Sequence, residues 1–417
     1  MIAFHYPPFS GGSGVHRTLK FSRYLPQFGW SPIILTAHTR AYSQTNSQQL
    51  QEIPSDVLVK RAFALDTSRH LSYKGAYFKS LALPDRWISW LVGAVPLGLH
   101  LISKYKPDVI WSTYPIATAH LIGLVLSKVS RIPWAADFRD SMTEDNYPTD
   151  LTMKRCYTMI EEKTIAASQC SIFTASSTQE MYQTRYPKLL SSMCKVIPNG
   201  YDEDDFKDLD LDRKDSSERA QSIRIVHAGV VYPIERNPIP FFRALASLKK
   251  EKLITSTEII VEFRGSGSED LYASILQDLE IQDLVQILPA LPYKAALRDC
   301  ALADGLLLLQ GQSCNHQIPA KAYEYLRLGK PILALVDEKG ETARLLRDNG
   351  GSSIIDLNNV EALRQNLPVF FDAIRLARHS NCDREKIRRY SRRTQAAELG
   401  DILRAVAQGN NRKKERQ

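Results

Sequence analysis

The sequence predicts an α/β protein with two doubly wound parallel sheets, on three observations. Short, continuously apolar runs such as DVIWST from Asp108 and SIFTAS from Ser171 suit strands buried on both faces. These runs alternate with longer helical patterns, as βαβ units require. The alternation is then interrupted by the charged stretch DEDDFKDLDLDRKDSSERA at Asp202–Ala220 and starts again. A chain of 417 residues has room for two such layers at ~150 residues per domain.

In the first half, Ile2–Tyr6 reads as a strand, followed by a glycine-rich loop and a helix over Val15–Phe28. Pro32–Thr36 and Val57–Ala62 are strands, with polar Gln44–Gln51 between them and irregular Ala64–Pro84 after them. Helix Trp87–Tyr105, strand Asp108–Thr113, helix Ile116–Val129 and strand Trp134–Phe138 follow. Helix Leu151–Ala167, strand Ser171–Ala175, helix Thr178–Tyr186 and strand Lys195–Ile197 complete the layer. In the second half the expected strands are Ile223–His227, Glu258–Phe263, Val285–Leu288, Gly305–Leu309 and Pro331–Leu335. The expected helices are Pro238–Lys250, Glu269–Leu279, Tyr293–Ala301, Pro319–Leu328, Thr342–Asp348, Val360–Ala377 and Asp383–Val406. The domains expected are therefore 1–205 and 222–382, joined by a linker over 206–221, with a basic tail at 408–417. Two doubly wound domains side by side enclose a cleft, and ligands in such sheets bind beyond the carboxyl ends of strands.

Composition narrows the function classes. Hydrophobic residues are 44% and charged residues 24%, which excludes a mainly disordered chain and a polytopic membrane protein. The net charge of +8 favours an anionic partner or a solvated basic face. No nucleic-acid motif accompanies it, so no nucleic-acid partner is expected. The six cysteines are scattered with no CxxC, which argues against a zinc site or disulfide framework and for a cytoplasmic location. The start MIAFHYPPF is not a secretory signal. The apolar window Trp87–Ile102 is too short to span a bilayer and contains Pro96. It reads either as a helix packed on a sheet or as a monotopic helix with Trp87 and Trp90 at a lipid interface and Lys104 and Lys106 toward head groups.

Four loops after strands hold the candidate site residues. PPFSGGSGVHR brings Gly12 and Gly14 to a helix N-terminus, suited to close approach by an anion or to a plain tight turn. It is not a GxGxxG fingerprint, and no acidic residue ends the second strand, so a dinucleotide site is disfavoured. ADFRD places Asp137, Arg139 and Asp140 at a strand end, either lining a site or pairing with one another. FRGSGSE offers Gly265 and Gly267 for backbone contact with a phosphate or base. QGQSCNHQIPAKAYEYLRLGKPIL is the most informative. Pro319 opens a helix whose free N–H groups, from residues 317–321, face an anion. Lys321 adds charge, and Glu324 is placed to accept hydrogen bonds from the hydroxyls of a ribose.

At these motifs the chain resembles the GT-B-fold glycosyltransferases of the retaining family 4 type. GGSGVHR, IPNGYDEDDF (Ile197–Phe206), VHAGVVYPIERNP, FRGSG and PAKAYEYLRLGKPIL carry the resemblance, and PWAADFRDSM is similar to a segment of a bacterial subgroup. The resemblance implies two Rossmann-like domains facing a central cleft, a nucleotide-sugar donor held mainly by the second, and a glycan or lipid-linked acceptor on the first. It implies no cofactor and no metal, the helix N-terminus and basic residues taking the charge of the leaving diphosphate. Glu324 would then bind the ribose, Gly265 and Gly267 the base, and His316, Pro319 and Lys321 the diphosphate. Gly12 and Gly14 would border the diphosphate or sugar, and Arg139 and Asp140 the sugar. Arg236 would share the diphosphate charge, Asp137 and Arg17 would lie on the acceptor side, and the final helix would pack back on the first domain.

Two positions depart from the family pattern. His316 stands where a glutamate usually contacts the sugar, and Val230 where an arginine is common. The expected function is hexosyl transfer with retention, in surface polysaccharide or glycolipid assembly, from the cytoplasm and peripherally at an anionic membrane surface. A GT-B sugar-nucleotide 2-epimerase and a degenerate, non-catalytic sugar-nucleotide or lipid-carrier binding protein are the alternatives.

Overall fold

The computed structural model describes residues 1–10, 14–145, 147–209, 222–233 and 235–414, with side chains through Gly409. It divides into unit 1, Met1–Pro198 with Arg392–Gln417, and unit 2, Asn199–Ser391. The chain therefore returns to the first unit at Arg392. The single helix expected over Asp383–Val406 is two, Arg384–Arg388 and Arg392–Lys414, with Tyr390 and Ser391 between them. Most of the expected linker lies outside the described residues, as do Gly12 and the side chains of the basic tail.

Unit 1 contains β1 (Ile33–Ala37), β2 (Leu58–Ala62), β3 (Ile110–Thr113), β4 (Trp134–Phe138), β5 (Cys170–Phe173) and β6 (Cys194–Val196). β2 pairs with β1, and β3 through β6 pair in sequence, all in parallel. The strand expected at Ile2–Tyr6 is reduced to a bridge. Ile2 pairs in parallel with Leu35 of β1 and Ser112 of β3, so the chain start joins the two pieces. Trp90, Trp111 and Trp134 are fully buried in this unit.

Helix Ser89–Tyr105 turns Trp90, Ala94, Gly98 and Leu101 inward, and Trp87 Nε1 donates to the Ala41 carbonyl at 3.2 Å. It is a helix packed on the sheet, the first of its two expected readings. Among the described residues no helix is long and apolar enough to cross a membrane.

Unit 2 contains β7 (Ile223–Ala228), β8 (Ile259–Arg264), β9 (Val285–Leu288), β10 (Gly305–Leu309), β11 (Ile332–Leu335) and β12 (Ser352–Ile355). They form a parallel sheet in the order β12-β11-β10-β7-β8-β9. The all-apolar run Gly305–Leu309 becomes a central strand because helices cover both its faces; all five of its residues are buried. The strand order reverses between β7 and β10, and that is where a doubly wound sheet opens a crevice at its carboxyl edge.

Candidate functional site

In unit 2 the crevice at the reversal brings the expected Lys321 against His227, a residue not singled out in the sequence. His227 near the end of β7 is fully buried, with Nδ1 2.9 Å from the Leu307 carbonyl of β10. A carbonyl only accepts, so Nδ1 bears the proton and Nε2 is left as an acceptor. Lys321 Nζ lies 3.3 Å from that Nε2 and donates to the Ala228 carbonyl at 2.7 Å. Burial first, and then the Lys321 charge, hold His227 far below the usual imidazole range, so it is neutral. Lys321 itself is pulled down to about 7, chiefly by desolvation and then by the nearby Arg236 charge; Glu324 opposes the shift.

Arg236 Nη1 donates to the Val230 carbonyl at 3.3 Å, and its guanidinium lies 5.3 Å from the Tyr232 ring centroid. Among the described residues, neither Lys321 nor Arg236 forms an ion pair with a carboxylate. Two neighbouring cations without a counter-ion constitute an electrostatic site for an anion.

Helix Ala320–Leu328 starts at this point, with Pro319 as its N-cap and no side-chain cap bond. The first N–H groups of a helix have no acceptor within it, and the dipole there favours negative charge. The expected donor set shrinks by one: Gln317 N–H is already spent on the Cys314 carbonyl at 2.9 Å, closing a local turn. His316 is exposed on the same loop.

The loop is held by a residue the sequence reading missed. Buried Gln310, at the end of β10, donates through Nε2 to the Cys314 and Gln317 carbonyls, both at 2.8 Å. Asn315 holds the other side through Asp337, at 2.6 Å. Gln310 was recognisable only as an uncharged residue ending an apolar strand.

Glu324 lies one turn into the helix and accepts from the Tyr293 hydroxyl at 2.9 Å, with Asp205 Oδ2 3.4 Å from the same hydroxyl. Burial, and then these two carboxylates, raise the Tyr293 phenol well above its usual range, so it stays a donor. Tyr293 also had no recognisable signal in the sequence. Gly265 and Gly267 have φ of +65° and +79°, the left-handed region that glycine tolerates. Their loop is tied to the one after β7, with Gly229 N–H bonding the Arg264 carbonyl at 2.8 Å and Val231 N–H the Ser266 carbonyl at 2.9 Å.

Unit 1 brings Gly14, Arg139 and Asp140 to the carboxyl edge of its sheet. A Cβ on Gly14 would fall 2.2 Å from Arg139 Nη1 and 2.7 Å from His5 Nδ1, so a larger residue there would have to displace both side chains. Arg139 bonds Asp140 through Nε at 3.0 Å and Nη2 at 2.9 Å; the loop-pairing alternative is thus realised. His5, not singled out in the sequence, stacks on Phe9 with centroids 4.4 Å apart. Burial and then Arg139 pull its pKa down to about 3.

Arg17 and Asp137, expected on the acceptor side, are buried in the core of unit 1. They form a fully buried bidentate pair at 2.7 and 3.0 Å, with side chains 1% and 0% exposed. Thr113 Oγ1 donates to the same carboxylate at 2.7 Å, and Arg17 Nη1 donates to the Pro198 carbonyl at 3.0 Å. A charged pair with its hydrogen bonds met is a scaffold, locking helix Gly14–Tyr24 to β4.

The loop after β4 is anchored by Glu161, also buried. It accepts from Thr143 N–H and Oγ1 at 3.0 and 2.8 Å, and from Tyr182 and Tyr186 at 2.5 and 2.8 Å. Among the described residues no three His, Cys, Asp or Glu side chains converge as a metal-ligand set, and all six cysteines are free thiols.

The class of protein follows from these two sheets: an α/β fold of the GT-B type. Solved structures share it over the whole chain. Sucrose-phosphate synthase from Thermosynechococcus elongatus superposes with a TM-score of 0.63 at 14% identity, over 100% of this chain and 98% of that one. HepE of Anabaena, solved with UDP, gives 0.62 at 13%, over 100% of both chains. An α,α-trehalose 6-phosphate synthase from Burkholderia multivorans gives 0.64 at 10%, over 99% and 97%. At such identities the likeness establishes the fold. No family model matches the sequence, and no curated protein does.

Proposed function

We propose that the chain is a retaining glycosyltransferase of the family 4 type, moving a hexosyl unit from a nucleotide-diphosphate sugar to an acceptor hydroxyl. The observation that carries the reading is the pair of unpaired cations, Lys321 and Arg236, beside a helix N-terminus at the strand-order reversal, with Glu324 one turn further in. A diphosphate matches the charge, and a ribose diol matches the carboxylate. As the glycosidic bond to the donor breaks, negative charge grows on the departing phosphate. Lys321, Arg236 and the helix start take up that charge, the role a divalent ion has elsewhere, so no metal is required. In this reading unit 1 takes the acceptor, a glycan or lipid-linked hydroxyl, at the carboxyl edge of its own sheet, where His5, Gly14, Arg139 and Asp140 lie. The cytoplasm is the proposed compartment, and assembly of a surface polysaccharide or glycolipid the proposed role.

HepE, solved with UDP and glucose, supports UDP-sugars as the first donors to try. The test is a thermal-shift screen against UDP-, GDP-, ADP- and dTDP-sugars without added metal, followed by Glu324→Ala. Stabilisation by one nucleotide class that the variant loses is expected. Donor affinity and turnover both unchanged in that variant would discard the assignment. Turnover of the donor without any acceptor would instead identify the epimerase.

A further inference from the structure

We infer that the excursion between β2 and helix Ser89–Tyr105 is a docking site for an anionic phospholipid surface. The expectation of a membrane contact attached to the helix itself, but that helix spends its apolar face on the core and leaves only Val92 strongly exposed, at 73%. The apolar surface lies just before it. Tyr73 and Phe78 are 77% and 80% exposed, and Leu71, Tyr77 and Leu81 are exposed as well.

The segment is built rather than frayed. Asp66 caps helix Thr67–His70, and Thr67 Oγ1 donates to the Leu81 carbonyl at 2.7 Å. Thr67 N–H bonds the Arg86 carbonyl at 2.8 Å. Tyr73 and Ala76 exchange backbone bonds at 2.8 and 3.0 Å across a turn at Lys74 and Gly75. Leu71, Tyr73, Tyr77, Phe78 and Leu81, all exposed within one anchored segment, form the kind of grouped apolar surface that marks an interaction site.

Charge identifies the occupant. From Thr67 to Pro84 the chain has Arg69, His70, Lys74 and Lys79 and no acidic residue. The flanking Asp66 and Asp85 are buried. Lys79 pairs with Asp150, which brings Leu151, 72% exposed, to the same surface. Lys74 Nζ lies 5.6 Å from the Tyr73 ring centroid. Aromatic and aliphatic side chains interleaved with cations at a projecting turn suit a headgroup layer. The rings enter the acyl boundary and the Lys74 ammonium group meets lipid phosphates. A protein partner would need a groove shaped to this turn, whereas a fluid headgroup layer needs only negative charge.

The test is co-sedimentation of the full chain with sucrose-loaded vesicles of phosphatidylcholine alone or mixed with phosphatidylglycerol. Wild-type protein is expected to sediment with the mixed vesicles and far less with the neutral ones. Lys74→Glu should weaken that partitioning about fivefold or more. A Tyr73→Ser, Phe78→Ser double variant should weaken it at least about tenfold. Both variants should keep the wild-type circular dichroism and thermal response to nucleotide sugars, which separates this site from the donor crevice. Failure of the wild type to bind mixed vesicles, equal binding to neutral ones, or undiminished binding by both variants overturns the inference.

Discussion

Lys321 is the residue whose environment most affects function. With its pKa pulled down to about 7 from 10.5, the ligand-free side chain is largely neutral at mildly alkaline pH. A bound diphosphate would restore the proton. Donor binding should therefore take up a proton above about pH 7, and affinity should fall as pH rises from there toward 10.5. Calorimetry in buffers of different ionisation enthalpy reads that uptake directly, and Lys321→Met should abolish it. The same shift acts on the free protein with its own sign. Between about pH 7 and 10.5 the unfolded chain binds the extra proton, so this group's contribution to stability increases with pH across that window. The charge of Lys321 was legible from the sequence. Its pKa was not, because that depends first on burial in the folded crevice and then on the charge of Arg236, which is distant in the chain.

At the scale of elements, two buried carboxylates decide how the loops of unit 1 are held. Glu161 on helix Leu151–Ala167 gathers Thr143, Tyr182, Tyr186 and Arg185, segments that also bond one another through Met142 N–H to the Tyr182 hydroxyl and Arg185 to Thr143. Glu161→Ala should destabilise the protein by ~3–5 kcal/mol, since it strands buried donors and removes the carboxylate that Arg185 pairs with. Urea unfolding measures it. Asp137→Ala should cost a similar ~3–5 kcal/mol, because Arg17 would be left charged and fully buried. A loss below ~1 kcal/mol in either variant would mean that the site relaxes or admits water. Arg17 and Asp137 show the limit of reading loops from sequence. Charged residues at a strand end imply solvent or a partner equally well, and here the partner is 120 positions away.

At the scale of the whole molecule, each unit has its own apolar core, one around Trp90 and Trp134 and one around Leu307 and Leu333. Separate cores predict two calorimetric transitions. A nucleotide that binds unit 2 at about 100 times its Kd should stabilise that unit by ~2.7 kcal/mol. Glu161→Ala should move only the other transition. A single transition that shifts with both perturbations would show that the units unfold together. The return of the chain to unit 1 was foreseen as one helix from Asp383, but the crossing falls at Arg392. Helical periodicity continues across Tyr390 and Ser391, so pattern alone has no break to mark. Tyr390 is instead held locally, its carbonyl bonded by Tyr201 N–H at 3.2 Å and its ring 5.1 Å from Tyr323.

The order of apolar runs and helical patterns determined the α/β class, the two layers and nearly every element, because burial on both faces of a parallel sheet demands continuous hydrophobic strands that local sequence displays. The residues at strand ends were legible as chemistry: Glu324, Lys321, the glycines of the 265–267 loop, and the helix opening at Pro319. Tertiary structure alone decided which of them stand together. It brought His227, Lys321 and Arg236 to the strand-order reversal and withdrew Arg17 and Asp137 into the core. It also assigned Gln310, Tyr293 and Glu161 their positioning roles. Hydrogen bonds and pKa values depend on distances of a few ångströms between residues far apart in sequence, and those distances exist only once the sheets have formed.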